Sequence, residues 1–264
     1  PYNALKRPGV MRLWSYQAMA HGSDSVMFFQ MRRSTGACEK LHGAVIDHVG
    51  TGETRVYREV KALGAELEKI GGLTLEARAE AKVGLYFDWD NWWAIECSAG
   101  PSCELKYKDE ILNYYEALHR MNIPVDIVGE EDELDTYQVL IAPVLYMTKT
   151  GYDEKIRAFV KAGGTFVTTF FSGYADENDK IILGGYPGKL KDIVGLWVEE
   201  EDALPKGNEN SFVYKGTTYP ARLLCDLSHV RGAEVLATYD TDFYSGMPVI
   251  TVNALGEGKA YYVA

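Results

Sequence analysis

Glu39 and His42 stand three positions apart in the run GACEKLHG, and on one turn of helix they would share a face. A carboxylate accepts hydrogen bonds and an imidazole can accept or donate, so together they suit a ligand dense in hydroxyls, such as a sugar. Gln30, Arg32, Arg33, Ser34 and Lys40 crowd the same stretch. Spacing alone leaves a plain alternative open, a solvated Glu beside a His at a helix end. Arg32 and Arg33 either line the same site or brace its carboxylates, with a structural ion pair the favoured role. Gln30 stands between substrate contact and structure. Cleaving a sugar linkage would take two carboxyl groups near each other, about 5–5.5 Å apart in one of the two usual geometries. Asp47 is the nearest downstream acid, and the intervening HGAVI is expected to carry it away from Glu39. No catalytic pair is therefore assigned within this chain.

The elements that must position these residues start upstream. Val10, Leu13, Trp14 and Gln17 recur at helical spacing over 9–21, with Gly22 as a natural terminator and His21 at the helix C-terminus. Val26, Met27, Phe28 and Phe29 then run consecutively, which predicts a strand over 25–30 covered on both faces. Function in parallel α/β folds gathers beyond the carboxyl ends of such strands. Over 53–70, Val56, Val60, Leu63, Leu67 and Ile70 form one apolar stripe, and the pair Gly71-Gly72 is expected to end that helix.

This stretch is where a family resemblance appears. FFQMRRSTGACEKLHGAVIDH, with the run-in RPGVMRLWSYQAMAHGSDSV, resembles the last barrel strand and following loop of the β-galactosidases of glycoside hydrolase family 42. The resemblance implies that Glu39 and His42 hold galactose hydroxyls. It implies that the acid/base and nucleophile lie on earlier barrel strands, upstream of Pro1. The family's usual Trp is replaced by Met31. Residues 1–72 are then the C-terminal part of a (β/α)8 TIM barrel whose other strands come from elsewhere. Pro1 is not a start residue, and GKAYYVA runs straight to Ala264, which predicts either a processed chain or a fragment of something longer.

Residues 73–82 are read as a linker, and 83–264 as a second α/β pattern. KVGLYFDWD is a strand ending in Asp88, CELKYKDEILNYYEALHRMN a helix, IPVDIVGEED and YQVLIAPVLY strands, 149–162 a helix, and GTFVTTFFSG a buried strand. The alternation predicts a doubly wound, mainly parallel sheet. SFVYKG, AEVLATYD, PVITVN and KAYYVA are expected as antiparallel edge strands or a small subsheet. DNWWA and SGYADENDKIILGGYPGKLKDIVGLWVEEEDAL resemble the same family's middle domain. The resemblance implies a fold similar to class I glutamine amidotransferases without their chemistry, and a homotrimer. Trp89, Trp92 and Trp93 are read as interface or core, with sugar stacking as the alternative.

Other chemistries find no support. Amidotransfer needs a Cys on a strand-to-helix elbow, and the expected elbow after VLIAPVLY holds Met147 and Thr148. Cys97, Cys103 and Cys225 sit in no activating context, and His48, His119 and His229 are given structural readings. GTGETR has Arg55 where a dinucleotide fingerprint needs its third Gly, and GGYPGK has the wrong spacing for a phosphate loop. No CxxC or HExxH is present, so neither metal nor cofactor is expected. A net charge of -11 in 264 residues argues against nucleic acid and anionic lipid. No apolar run approaches the roughly 20 residues of a membrane span. Four irregularly spaced Cys fit a reduced, cytoplasmic protein.

Overall fold

The computed structural model describes residues 4–264, so the first three positions of the expected barrel piece, Pro1 among them, lie outside the described residues. The chain divides into two compact units, one ending at Glu80 and one beginning at Ala81.

The first unit is built on two helices, α1 (Val10–Ala20) and α2 (Arg55–Thr74). They are tied by Glu66, which accepts from Arg12 Nε at 2.6 Å and from the Tyr16 hydroxyl at 3.0 Å. Thr54 caps α2, its hydroxyl accepting from the Tyr57 amide. Thr54→Ala is expected to weaken the first turn of α2 by about 1 kcal/mol, read as faster hydrogen exchange at Tyr57. Gly71-Gly72 does not stop α2, because glycine lowers helix propensity without removing a backbone donor. The chain turns at Glu76, whose φ is 59° and whose amide is held by the Asp24 carboxylate at 2.8 Å.

The expected strand over 25–30 does not form. Among the described residues this stretch makes no ladder, its Gln30 carbonyl alone accepting the Val45 amide at its end, and a strand exists only through its ladder. Pairing begins one step later, in an isolated parallel bridge between Arg32 and Ile46. The apolar run is consequently bare: Met27 is 90% and Phe29 70% exposed. Leu63 is the one buried apolar side chain among the described residues of this unit.

The second unit carries a seven-stranded sheet. In chain order its regular elements are β1 (Val83–Tyr86), α3 (Trp89–Cys97), α4 (Tyr107–Arg120), β2 (Val125–Val128), β3 (Val139–Ala142), α5 (Tyr152–Lys161), β4 (Thr165–Thr169) and α6 (Lys191–Val194). There follow β5 (Leu196–Ala203), β6 (Asn210–Tyr214), β7 (Thr217–Ala221), β8 (Leu224–Val230), β9 (Glu234–Thr238), β10 (Pro248–Leu255) and β11 (Gly258–Val263). The sheet order is β2-β1-β3-β4-β11-β10-β9, parallel from β2 through β11 and antiparallel at β10 and β9. The mixed α/β architecture with a parallel sheet is thus present.

The late strands separate by partner. β9 and β10 make the antiparallel edge, while β5 with β8 and β6 with β7 form two small sheets. KAYYVA, expected at an antiparallel edge, instead lies inside the sheet as β11, parallel to β4. The approach there is close enough to demand glycine: a Cβ on Gly258 would meet the Val160 carbonyl oxygen at 2.1 Å. Tyr86, Leu140, Phe166, Ile156 and Tyr262 fill the core.

Candidate functional site

The stretch 30–50 folds back on itself. Val45 and Ile46 donate their amides to the carbonyls of Gln30 and Met31, both at 2.8 Å, and Arg33 donates to Ile46 at 3.0 Å. Between these two arms the chain makes one 3₁₀ turn, Cys38–Leu41, with His42 at its end. Glu39 sits on that turn and His42 just after it, and the His42 amide donates to the Glu39 carbonyl at 2.9 Å. His42 has already left the turn, with extended backbone at φ -69° and ψ 151°, so the three-residue spacing runs across the end of the turn rather than within it. Both side chains are exposed.

One guanidinium holds this turn in place. Arg33 Nη2 donates to the Leu41 carbonyl at 2.9 Å and Nε to that of Lys40 at 3.2 Å. Its Nη1 meets both Asp47 carboxylate oxygens, at 2.9 and 3.1 Å. The return, parallel at the Arg32–Ile46 bridge, carries Asp47 to the Arg33 guanidinium, where the two pair. The Arg33 hydrogen bond and the His48 amide hold its carboxyl below the usual range. His48 Nε2 meets the Ser34 carbonyl at 2.8 Å, and the Ser34 hydroxyl donates to Gln30 Oε1 at 3.2 Å. Gln30 Nε2 is buried without a partner. Arg33 is thus the brace, and Arg32, Arg33, Thr35, Asp47, His48 and Gly50 line a shallow pocket next to it.

In the second unit, the tryptophans of DWDNWWA lie on α3, a helix the sequence reading did not assign. Trp89 stacks on Trp92 with centroids 5.3 Å apart, and Phe87 packs edge-on against both. Trp89 and Trp93 remain more than half exposed. The expected elbow at Met147 and Thr148 is displaced. The left-handed residue after β3 is Val144 (φ 47°), directly following Pro143, and the one after β4 is Phe171 (φ 56°). Both are buried and apolar, so neither supplies a nucleophile. Cys225 is buried, which pushes its thiol up, and Cys97 and Cys103 are free and exposed.

Two charged clusters escaped the sequence reading. Lys149 Nζ lies 3.0 Å from Asp88, 2.8 Å from Asp90 and 3.5 Å from Glu130, beyond the carboxyl ends of β1, β2 and β3. Burial alone would lower its ammonium, but hydrogen bonds to Asp90 and Asp88 outweigh that and raise it. Lys149 thus serves as a built-in counter-ion in the crevice. Asp88 and Glu130 falling just after successive strands was the available signal. The second cluster surrounds Asp226, which is fully buried, accepts from the Tyr262 hydroxyl, and faces Glu201 across the β5–β8 pair. Burial foremost, with the Glu201 charge, pushes the Asp226 carboxyl up to about 7. Among the described residues no group of three His, Cys, Asp or Glu is arranged to hold a metal ion, and no helix is long and apolar enough to cross a membrane.

Residues 81–264 match the family model described as "Beta-galactosidase trimerisation domain", and residues 1–70 the one described as "Beta-galactosidase". The whole chain is 55% identical to the β-galactosidase BgaA of Planococcus sp. (strain 'SOS Orange') and covers 40% of that protein. It is 45% identical to the β-galactosidase LacZ of Lactobacillus acidophilus, covering 39% of it. Among solved structures, the β-galactosidase from Bacillus circulans sp. alkalophilus matches with a TM-score of 0.95 at 55% identity, over all of this chain and 40% of that one. That from Rahnella sp. R3 matches at 0.92 and 45% identity, with the same coverage. The chain spans about 40% of the length of these relatives.

Proposed function

This chain belongs to the β-galactosidases of glycoside hydrolase family 42, and from that membership we propose that it is part of a retaining enzyme that removes terminal non-reducing β-D-galactosyl residues. Its own contribution is one wall of the sugar site, where Glu39 and His42 bind galactose hydroxyls. The two carboxyl groups of the chemistry are supplied by residues outside this sequence. Residues 1–72 act as the closing strand–helix piece of the TIM barrel, with 73–82 a linker. The bare apolar faces of Met27 and Phe29 support this reading, since a barrel strand is covered on both sides. Residues 83–264 act as an amidotransferase-like trimerisation domain. The strand order β2-β1-β3-β4, with a left-handed residue after each of β3 and β4, supports that part. No cofactor is required, and the exposed free thiols fit a cytoplasmic setting.

The observation that carries the proposal is the ordered pair of family matches along one chain. The test compares the protein expressed from its complete reading frame with these 264 residues alone. The former is expected to hydrolyse nitrophenyl β-galactoside and to sediment as a trimer. The latter is expected to show no turnover above background. Turnover by the 264-residue chain, free of host enzyme, would refute the assignment of the reacting carboxyls elsewhere.

A second reading has one specific observation behind it. The 81–264 unit has a large core of its own, whereas the preceding unit buries little. As an isolated polypeptide the chain would then act as an assembly module, self-associating without catalysis.

A further inference from the structure

We propose that Arg33 is a positioning residue for galactoside binding, acting through the turn that carries Glu39 and His42; this rests on the reading of those two residues as sugar contacts. The turn cannot orient itself. It is four residues long, Ala37 before it makes no side-chain capping bond, and at its far end the His42 amide donates to the Glu39 carbonyl. Short 3₁₀ turns have poorer hydrogen-bond geometry than an α-helix, so bonds from outside contribute to holding their shape. The last carbonyls of such a turn lack partners within it.

Arg33 supplies those partners. Its fork takes the carbonyls of Lys40 and Leu41 on one side and the Asp47 carboxylate on the other. All three guanidinium nitrogens are thereby engaged within the loop, which argues against a direct contact with substrate. The backbone of Arg33 is fixed independently, by its amide on the Ile46 carbonyl and by Ile46 on Met31. Asp47 is fixed in turn by the His48 amide at 2.6 Å. The chain from bridge to guanidinium to turn is therefore continuous. A lysine reaches one of these acceptors as a point charge but cannot span all three, because it lacks the planar fork.

The test uses the enzyme expressed from its complete reading frame. Arg33→Ala is expected to raise KM for a nitrophenyl β-galactoside, and Ki for free galactose, about 10- to 30-fold, with a smaller fall in kcat. Arg33→Lys should recover less than half of that loss on a logarithmic scale. Asp47→Asn, which removes one anchor and leaves the fork, should raise KM in the same direction by about threefold. A double-mutant cycle separates positioning from general loosening. In a Glu39→Gln background, Arg33→Ala should cost much less than it does alone. Full additivity of the two substitutions, or an unchanged KM in Arg33→Ala while Glu39→Gln raises it, overturns the role of Arg33. An unchanged KM and Ki in Glu39→Gln itself overturns the sugar-contact reading, and the proposal with it.

Discussion

Glu39→Gln in the complete enzyme is expected to lower kcat/KM for a β-galactoside by about 100-fold while leaving the melting temperature within a degree or two. The magnitude follows from chemistry. A carboxylate accepting from sugar hydroxyls makes charge-assisted hydrogen bonds, each worth about 1.5–3 kcal/mol. The amide keeps one acceptor and turns the other into a donor facing a donor. The stability term is small because Glu39 is exposed on a short turn and has no ion pair to lose among the described residues. His42→Ala should cost less, about 10- to 30-fold, since an imidazole offers the sugar one ring nitrogen where a carboxylate offers two oxygens. Deoxygalactosides locate the contact. The analogue lacking the hydroxyl that Glu39 meets should be a poor substrate for the wild type and should lose little further in Glu39→Gln. If every deoxygalactoside is penalised by the same factor in both proteins, Glu39 is not a sugar contact.

The pattern along the chain explains what could be foreseen. The stripes of α2 and α5 were legible because a 3.6-residue period is a local property of the sequence. The strand expected at 25–30 was not, because Val26 to Phe29 specify burial on two sides but not the neighbours that provide it. The helix α3 was not foreseen, although Trp89, Trp92 and Trp93 stand at helical spacing and Asp88 stood ready as its cap. Arg33 and Arg32 are indistinguishable in sequence. They separate in the structure because successive residues of an extended segment point to opposite sides, and only Arg33 faces the turn. The Lys149 cluster joins residues some sixty positions apart, so no local spacing announces it. The same holds for Asp226, which looks in LLCDLSHV like an ordinary acid of an alternating strand and finds its partners on β5 and β11.

Asp226 gives the largest expected effect on stability, and its sign is opposite to that of most carboxylates. It is fully buried and has no ion pair among the described residues, and one oxygen accepts from Tyr262. The groups facing it are acids and phenols: Glu201 on β5, itself bonded by the Tyr174 hydroxyl, Tyr262 on β11 and Tyr239 just after β9, with Cys225 next to it on β8. Hydrogen bonds from the Tyr262 hydroxyl and the Phe171 backbone ease a negative charge there but do not offset burial. Burial raises the folded-state carboxyl to about 7, against a value near 4 in the unfolded chain. The folded state therefore binds the proton more tightly. Its contribution to stability is complete below about pH 4, falls as pH rises toward 7, and is flat above that. The full swing is about 4 kcal/mol on the usual conversion of pKa to free energy. Asp226→Asn keeps an uncharged acceptor for Tyr262 and cannot ionise. Its stability relative to the wild type should therefore increase by roughly that amount between pH 4.5 and pH 8, measured by denaturant unfolding at each pH. Glu201→Gln should shrink the wild-type swing, because it removes the charge that adds to the burial penalty. Exposed acids that are stabilised by their partners, such as Asp47 and Asp176, drift the other way but cancel in the comparison of variant with wild type. A stability difference between the Asp226→Asn variant and the wild type that stays constant with pH would mean that Asp226 is ionised in the folded core after all, and that water or a cation reaches it.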